Sequence, residues 1–151
     1  MAALIELKDI TKEFNGQVVL RGIDLTIEQN EFVTLLGPSG CGKSTTGRTI
    51  IKLYDITDGE IIYDGVDISN IPESEMFKYR RKIQMIFQDP YASLNGRMTV
   101  TDIIAEGIDT HNIYKGHKNP KLAKQERIYE LLESVGLKKE HASRYPHEFS
   151  G

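Results

Sequence analysis

The chain has 151 residues, enough for one domain with a sizeable core, and 19 Lys and Arg against 22 Asp and Glu give a formal net charge of −3. Because no basic block stands out, the composition argues against a nucleic-acid-binding surface. A single cysteine, Cys41, excludes an internal disulfide or a paired-cysteine metal site and fits a reducing cytosol. No apolar run approaches the ~20 residues of a membrane span, and the N-terminus carries no signal-peptide pattern.

The first sixty-odd residues carry mostly β-strand patterns. One segment, Glu31 to Leu36, is mostly apolar and predicts a buried strand. The dipeptide Asp64-Gly65 favours the positive φ angles of a tight turn and predicts a hairpin. The other predicted strands, with turns at 15–16 and 29–30, cover residues 4–7, 18–20, 23–27, 60–63 and 66–68.

Directly after Leu36 comes a complete match to the phosphate-binding loop pattern. Its glycines allow backbone N–H groups to face phosphate oxygens, Lys43 brings positive charge to the β- and γ-phosphates, and Ser44 opens a helix and offers a hydroxyl to Mg²⁺. A predicted helix from Thr45 to Tyr54 completes the strand-loop-helix context, which argues against an accidental glycine-rich turn. The sequence therefore predicts a nucleoside triphosphate site. The motif reads Gly37, Pro38, Ser39, Gly40, Cys41, Gly42, Lys43, Ser44, Thr45.

Helical patterns dominate the second half of the chain, and the change of texture predicts a boundary near Gln88. Thr99 and Asp102 have the spacing of a capping box, with Gly107 near the expected end of that helix. Asn119 and Pro120 predict the start of a longer helix that stops at Gly136. The remaining predictions are a short helix at 74–82, a strand at 82–87 and an exposed loop at 109–118.

Three further segments turn the phosphate loop into a recognisable pattern. They are Phe14 ahead of the loop, Ile86-Phe87-Gln88-Asp89-Pro90, and the terminal Tyr145 to Gly151. With the phosphate loop they resemble the ATP-binding cassette (ABC) transporter ATPases. The resemblance implies that Phe14 stacks on adenine and that Gln88 contacts Mg²⁺ or the attacking water. In isolation, Phe14 would be a core aromatic and Gln88 an ordinary turn residue.

The resemblance also implies a fold and a division of the chain. We expect an α/β P-loop NTPase: an ABC-ATPase core with an N-terminal antiparallel β subdomain and the start of a helical subdomain. Residues 1–87 would form the nucleotide-binding core with the phosphate loop, and residues 88–151 the Q-loop and helical subdomain. By the same resemblance, Phe149, Ser150 and Gly151 would occupy the first three positions of the family signature, whose usual form is Leu-Ser-Gly-Gly-Gln. Since the Walker B carboxylates should follow the signature, we expect a truncated chain that is inactive alone although the intact protein is an ATPase.

Within the family, Gln88 to Asn95 and the ending Arg144 to Gly151 are most similar to di- and oligopeptide importer ATPases and their nickel-importing relatives. Gly96-Arg97 departs from the usual Pro-Arg. The resemblance implies ATP and Mg²⁺ as ligands and a place on the cytoplasmic face of the membrane. Implied partners are a second ATPase subunit whose site Ser150 and Gly151 would help to form, integral-membrane permease subunits and, indirectly, an extracytoplasmic solute-binding protein.

Two other functions stay open at this point. The chain could be a non-catalytic nucleotide-binding fragment, or it could belong to a soluble ABC ATPase of DNA repair or translation. The negative charge and the Q-loop resemblance argue against the latter. Asp89 is not favoured as a general base, since the family's base is a glutamate after Walker B. Four histidines lack the spacing of a paired metal site and are expected on the surface: His111, His117, His141 and His147.

Overall fold

The computed structural model describes residues 3–149, apart from the side chains of residues 90 and 91, and the chain divides into two compact units, 1–85 and 86–151. The first unit combines a sheet with two helices. Its elements are β1 (Ala3–Phe14), β2 (Gln17–Glu28), α1 (Lys43–Ile50), β3 (Asp58–Tyr63), β4 (Val66–Asp67) and α2 (Glu73–Tyr79).

The sheet of the first unit is antiparallel, with strand order β2-β1-β3-β4. Asn15 and Gly16 turn the chain between β1 and β2 with φ angles of 50° and 85°, the left-handed values that a tight hairpin needs. β1 pairs on both edges, so that Leu7 lies opposite Leu25 on one side and Ile61 on the other. The hairpin predicted at Asp64-Gly65 and the turn predicted at 15–16 are confirmed, and β1 and β2 are longer than expected.

The core of the first unit lies between this sheet and α2. Ile10 in β1 is completely buried, and its neighbours in the core come from three strands, the segment after β4 and α2. Outside the core, the Lys52 ammonium donates to the Ser69 carbonyl at 2.6 Å, and Arg80 donates to the Ile51 carbonyl at 3.1 Å. These bonds tie the end of α1 to the segments beside it. The buried apolar residues are Leu7, Ile10, Leu20, Ile61, Tyr63, Ile68, Met76 and Tyr79.

The first helix ends earlier than the predicted limit at Tyr54. Lys52 has a left-handed φ of 52°, its N–H donates to the Thr49 carbonyl at 2.9 Å, and the Leu53 N–H donates to the Arg48 carbonyl at 2.8 Å. This pair of bonds is a Schellman motif, which satisfies the last carbonyls and turns the chain away from the helix axis. Tyr54 therefore follows the helix instead of belonging to it.

Two predicted strands are wrong. Glu31 to Leu36 forms no strand, and Phe32 and Leu36 are 91% and 88% exposed. The segment 82–87 is turn and irregular chain, with Ile86 95% exposed. Both have strand-like sequences, but a strand needs a neighbour to satisfy its backbone groups, and no described strand pairs with either segment.

The second unit is helical. The capping box is confirmed, since the Thr99 hydroxyl accepts from the Asp102 N–H at 3.2 Å and the Asp102 carboxylate accepts from the Thr99 N–H at 3.1 Å. The helix continues past Gly107, because one interior glycine costs only about 1 kcal/mol. The helices of the second unit are α3 (Pro90–Ser93), α4 (Val100–Thr110) and α5 (Pro120–Ser134), followed by 3₁₀ turns at Lys139–Ser143 and Pro146–Phe149.

α5 begins and ends as predicted: Asn119 accepts from the Leu122 N–H at 3.4 Å, and Gly136 follows the helix with a φ of 79°. The predicted exposed loop at 109–118 starts two residues too early, since α4 runs to Thr110. The short helix predicted at 74–82 is α2, which stops at Tyr79. The buried core of this unit is Ile108, Ile128, Leu132 and Ala142.

Candidate nucleotide-binding site

The phosphate loop follows the exposed segment Glu31 to Leu36 and leads directly into α1. At two of its glycines, an added Cβ would clash with a neighbouring side chain. A Cβ on Gly42 would be 2.8 Å from Cδ2 of Leu20, and a Cβ on Gly37 would be 2.6 Å from the sulfur of Cys41. Gly42 also has a left-handed φ of 97° as it caps α1. Glycine is therefore the residue that fits both positions without displacing a neighbour.

The Lys43 side chain folds back across the loop. Its ammonium donates to the carbonyl oxygens of Gly37 at 2.7 Å and Pro38 at 2.8 Å, and lies 3.4 Å from the sulfur of Cys41. A flexible lysine held by exposed carbonyls keeps its positive charge at the loop. Phosphate oxygens are stronger acceptors than carbonyls, so an anion bound there can take over these bonds.

The beginning of α1 suits a negative charge. Its first turn contains no acidic side chain and its N-cap, Gly42, supplies no side-chain cap, so nothing in the helix itself neutralises the positive end of the helix dipole. The buried hydroxyls of Thr46 and Thr49 donate within the helix, to the carbonyls of Gly42 at 3.0 Å and Thr45 at 2.8 Å. Ser44, by contrast, is exposed in the first turn.

Phe14, at the end of β1, lies outside the buried core of the first unit and is 36% exposed. Its ring meets the ring of Tyr54 edge to face, with centroids 5.2 Å apart and planes at 81°. The Lys12 ammonium lies 4.7 Å from the centre of the Phe14 ring. The sequence did not indicate either neighbour of Phe14. It placed Tyr54 inside the first helix, whereas Tyr54 follows that helix.

Gln88 belongs to the second unit and is exposed. The next residue, Asp89, stabilises the start of α3: its carboxylate accepts from the Ala92 N–H at 3.1 Å, and its carbonyl accepts from the Ser93 hydroxyl at 2.7 Å. Asp89 thus has a structural role as a cap. Ser150 and Gly151, predicted to serve a partner's site, lie outside the described residues.

Of the four histidines predicted on the surface, His117 and His147 are exposed, whereas His111 and His141 are half-buried. Nδ1 of His141 accepts from the Lys138 N–H at 3.0 Å, and Nδ1 of His117 accepts from the Asn119 N–H at 3.4 Å. Over residues 3–149, no group of three or more His, Cys, Asp and Glu side chains is arranged to hold a metal ion. A search of the same residues finds no helix with the length and apolarity to cross a membrane.

An apolar groove of about 310 Å³ lies on the second unit. Its walls include Leu94, just after α3, Ile104 in α4, and Leu137 and Phe149 near the end of the described chain. Nothing in the sequence analysis singled out this groove, because its walls are far apart in sequence. Its lining is almost entirely apolar, which suits an apolar segment of another protein.

A profile of the ABC transporter family matches residues 20–151. The chain belongs to the ABC transporter family. It is 50% identical to the oligopeptide transport ATP-binding protein OppF of Bacillus subtilis, over 98% of this chain and 49% of that protein. It is 46% identical to the dipeptide transport ATP-binding protein DppF of Lactococcus lactis, over 98% of this chain and 48% of that protein. The chain thus spans about half the length of these ABC relatives.

Solved structures agree with this assignment. The dimeric structure of MJ0796, a bacterial ABC transporter cassette, matches with a TM-score of 0.80 at 30% identity, over 97% of this chain and 63% of that chain. A second structure of MJ0796, in a post-hydrolysis state bound to ADP and Pi, matches with a TM-score of 0.77 at 27% identity and the same coverage. The predicted family and the ABC-ATPase fold are therefore confirmed.

Proposed function

We propose that this chain is the phosphate-binding half of an ATPase subunit that powers import of peptides or similar small solutes across a membrane. The observation that carries the proposal is the phosphate loop itself. An added Cβ would lie 2.6 Å from the Cys41 sulfur at Gly37 and 2.8 Å from Leu20 Cδ2 at Gly42, and Lys43 supplies a positive charge that the loop carbonyls of Gly37 and Pro38 hold in place. Relatives named as oligopeptide and dipeptide transport ATP-binding proteins support ATP as the nucleotide and peptides as the cargo.

Each predicted residue has a role in this proposal. Lys43 and the backbone N–H groups of the loop bind the β- and γ-phosphates, and Phe14 stacks on adenine. The Ser44 hydroxyl holds Mg²⁺ through oxygen, the ligand atom that this cation prefers, and Gln88 contacts Mg²⁺ or the attacking water; bound Mg²⁺ neutralises phosphate charge. The exposed hydroxyl of Ser44 at the start of α1 fits that task. The backbone of the loop comes from Gly37, Pro38, Ser39, Gly40, Cys41, Gly42 and Thr45.

The division of labour within the chain is also a proposal. Residues 1–87 serve as the nucleotide-binding core, and residues 88–151 serve as the Q-loop and helical subdomain that couples nucleotide to transport. The compact units 1–85 and 86–151 support a division close to this point. In this proposal, signature residues Ser150 and Gly151 complete the site of a second ATPase subunit, and the dimeric form of the MJ0796 cassette supports the pairing of two subunits.

Nucleotide binding is tested by titrating ATP into the wild-type chain and the variant Lys43→Ala. Charge-assisted hydrogen bonds contribute about 1.5 to 3 kcal/mol each, so the variant should bind ATP at least roughly tenfold more weakly. Lys121→Ala, which removes an exposed lysine of α5, is the matched control and should bind like wild type. Equal ATP affinity for wild type and a folded Lys43→Ala variant would refute the proposal.

The proposed permease partner docks on the second unit, where Gln88 to Arg97 leads into the apolar groove walled by Leu94 and Phe149. The groove suits the apolar face of a cytoplasmic helix of the permease. The proposal therefore includes a location at the cytoplasmic face of the membrane, with the extracytoplasmic solute-binding protein contacted only through the permease. A photo-crosslinker at Ser93 should capture permease subunits, and exclusive capture of other ATPase subunits would contradict the docking site.

A further inference from the structure

The aromatic residue proposed to stack on adenine does not stand alone. Phe14 contacts the half-buried ring of Tyr54 edge to face at 5.2 Å, while the Lys12 ammonium lies 4.7 Å from the Phe14 ring centre. An edge contact between aromatic rings contributes about 0.5–1.5 kcal/mol beyond its buried area and fixes the orientation of both rings. The orientation of Phe14 therefore depends on where Tyr54 lies.

Tyr54 is fixed to the end of α1. The N–H groups of Leu53 and Tyr54 both donate to the Arg48 carbonyl, at 2.8 and 3.4 Å, as part of the motif that ends the helix. The Arg48 guanidinium lies 5.9 Å from the centre of the Tyr54 ring. Because α1 begins in the phosphate loop, Tyr54 is connected to that loop through one rigid helix of eight residues, about 12 Å long.

The backbone beyond Tyr54 also holds the end of β1. The Thr57 hydroxyl accepts from the Glu13 N–H at 2.9 Å, and the Thr57 N–H donates to the Thr11 carbonyl at 2.8 Å. These bonds lie on either side of Lys12 in sequence and keep the segment after α1 alongside the last residues of β1. Phe14 is thus held from two directions, by backbone bonds on its own strand and by the ring of Tyr54.

We propose that Tyr54 is a positioning residue for nucleotide binding: it holds the Phe14 ring in place, relative to α1 and the phosphate loop, for stacking on the base of the nucleotide. The inference rests on the proposed function, because it needs a triphosphate at Lys43 and a base at Phe14. Tyr54 itself need not touch the nucleotide. Its contribution comes from the perpendicular contact between the two rings, so the hydroxyl is dispensable.

The test measures the affinities of ATP and of inorganic triphosphate for the 151-residue chain by calorimetric titration. Tyr54→Ala should weaken ATP binding roughly 2- to 12-fold, the range that corresponds to an aromatic edge contact. Triphosphate binding should stay within about twofold, because the phosphate loop keeps its own contacts. Tyr54→Phe, which retains the ring, should bind both ligands like wild type. Tyr54→Leu keeps apolar volume without an aromatic edge and replaces the alanine variant if the latter fails to fold.

A double-mutant cycle with Phe14→Ala separates positioning from other effects. If Tyr54 acts through Phe14, then Tyr54→Ala should cause no further loss of ATP affinity in a chain that already carries Phe14→Ala. Additive losses would overturn the inference, as would equal losses for ATP and triphosphate, or a loss in Tyr54→Phe as large as in Tyr54→Ala.

The outcome also distinguishes this inference from the proposed function. A wild-type chain without Lys43-dependent ATP binding would defeat the proposed function, and the positioning role would fall with it. Lys43-dependent binding that is unchanged by Tyr54→Ala and Tyr54→Leu would defeat the positioning role alone.

Discussion

Two apolar stretches of the first unit, β1 and the segment Glu31 to Leu36, end up in opposite environments. β1 pairs along both edges, and its Leu7 is 2% exposed, whereas Phe32 of the other segment is 91% exposed and no described strand pairs with it. Both sequences favour a strand. The comparison shows that strand propensity produces a strand only where a second strand is available to accept its backbone hydrogen bonds.

The difference has a simple origin in the chain. β1 finds its neighbours nearby, since β2 follows after a two-residue turn and β3 lies within the same unit. Burying one large apolar side chain stabilises a fold by about 1.5–3 kcal/mol, and Glu31 to Leu36 forgoes that gain at Phe32 and Leu36. The chain spans about half the length of its relatives. Adding the second half of a relative to this chain therefore tests whether the segment Glu31 to Leu36 stays without a partner.

Adding the second half of a relative should have its largest effect on ATP hydrolysis. We expect no sustained phosphate release from ATP by the 151-residue chain, because the family resemblance assigns the water-orienting glutamate and the Mg²⁺-binding carboxylate to segments after the signature. A chimaera in which the second half of B. subtilis OppF follows Gly151 should release phosphate, and Lys43→Ala should abolish that release. Lys43-dependent turnover by the 151-residue chain alone would contradict this expectation.

The next largest effect should be on stability, where side-chain truncation in β1 and in the segment Glu31 to Leu36 should have different results. Ile10→Ala removes a fully buried side chain from β1 and should lower the free energy of unfolding by about 2–5 kcal/mol. Phe32→Ala should change it by less than about 0.5 kcal/mol, since its side chain is in solvent. Urea unfolding of each variant, followed by a signal from the first unit, measures both changes in the free energy of unfolding. A loss at Phe32 as large as at Ile10 would mean that the exposed segment is packed after all.

Self-association should be the next consequence, and it depends on the exposed segment. An exposed apolar segment with a strand-like sequence can pair with another chain, so we expect concentration-dependent oligomers of the 151-residue chain. The double variant Phe32→Lys with Leu36→Lys should shift the population toward monomer in light scattering. Leu122→Lys, which places a charge at a half-exposed leucine of α5, is the matched control and should leave the oligomers in place.

The smallest expected effect concerns β4, the edge strand that pairs with β3 in the sheet of the first unit. The Asp67 carboxylate, in β4, accepts from the Ser69 hydroxyl at 2.5 Å and the Ser69 N–H at 2.8 Å, and these bonds lower the pKa of Asp67 below its ordinary value of 3.8. A lowered pKa in the folded state stabilises the fold above the ordinary pKa, and that contribution is lost as the pH falls through the lowered value.

Asp67→Asn should therefore be less stable than wild type at pH 6, and the difference should shrink as the pH falls below about 4. Urea unfolding across this range measures the difference, and a carboxyl NMR titration measures the pKa directly. A stability difference that does not change with pH would show that the hydrogen bonds to Ser69 do not depend on the charge of Asp67.

The family and fold were predictable from sequence because their signals are local or depend on order along the chain. The Asn15-Gly16 turn, the Thr99 capping box and the phosphate-loop pattern each act through neighbours within a few residues. The roles of Phe14, Ser44 and Gln88 stay predictions, since they depend on a nucleotide and on residues brought together by it.

Other features were decided only by tertiary structure. Whether Glu31 to Leu36 becomes a strand depends on a partner that local sequence does not name, and the same holds for Lys82 to Phe87. The contact between Phe14 and Tyr54 joins the end of β1 to the turn after α1, 40 positions apart in sequence. Sequence by itself determined the turns, the caps and the phosphate loop, because short-range backbone geometry defines them. Strand pairing, exposure and the aromatic contact required the folded chain, because each needs groups that come together only through long-range packing.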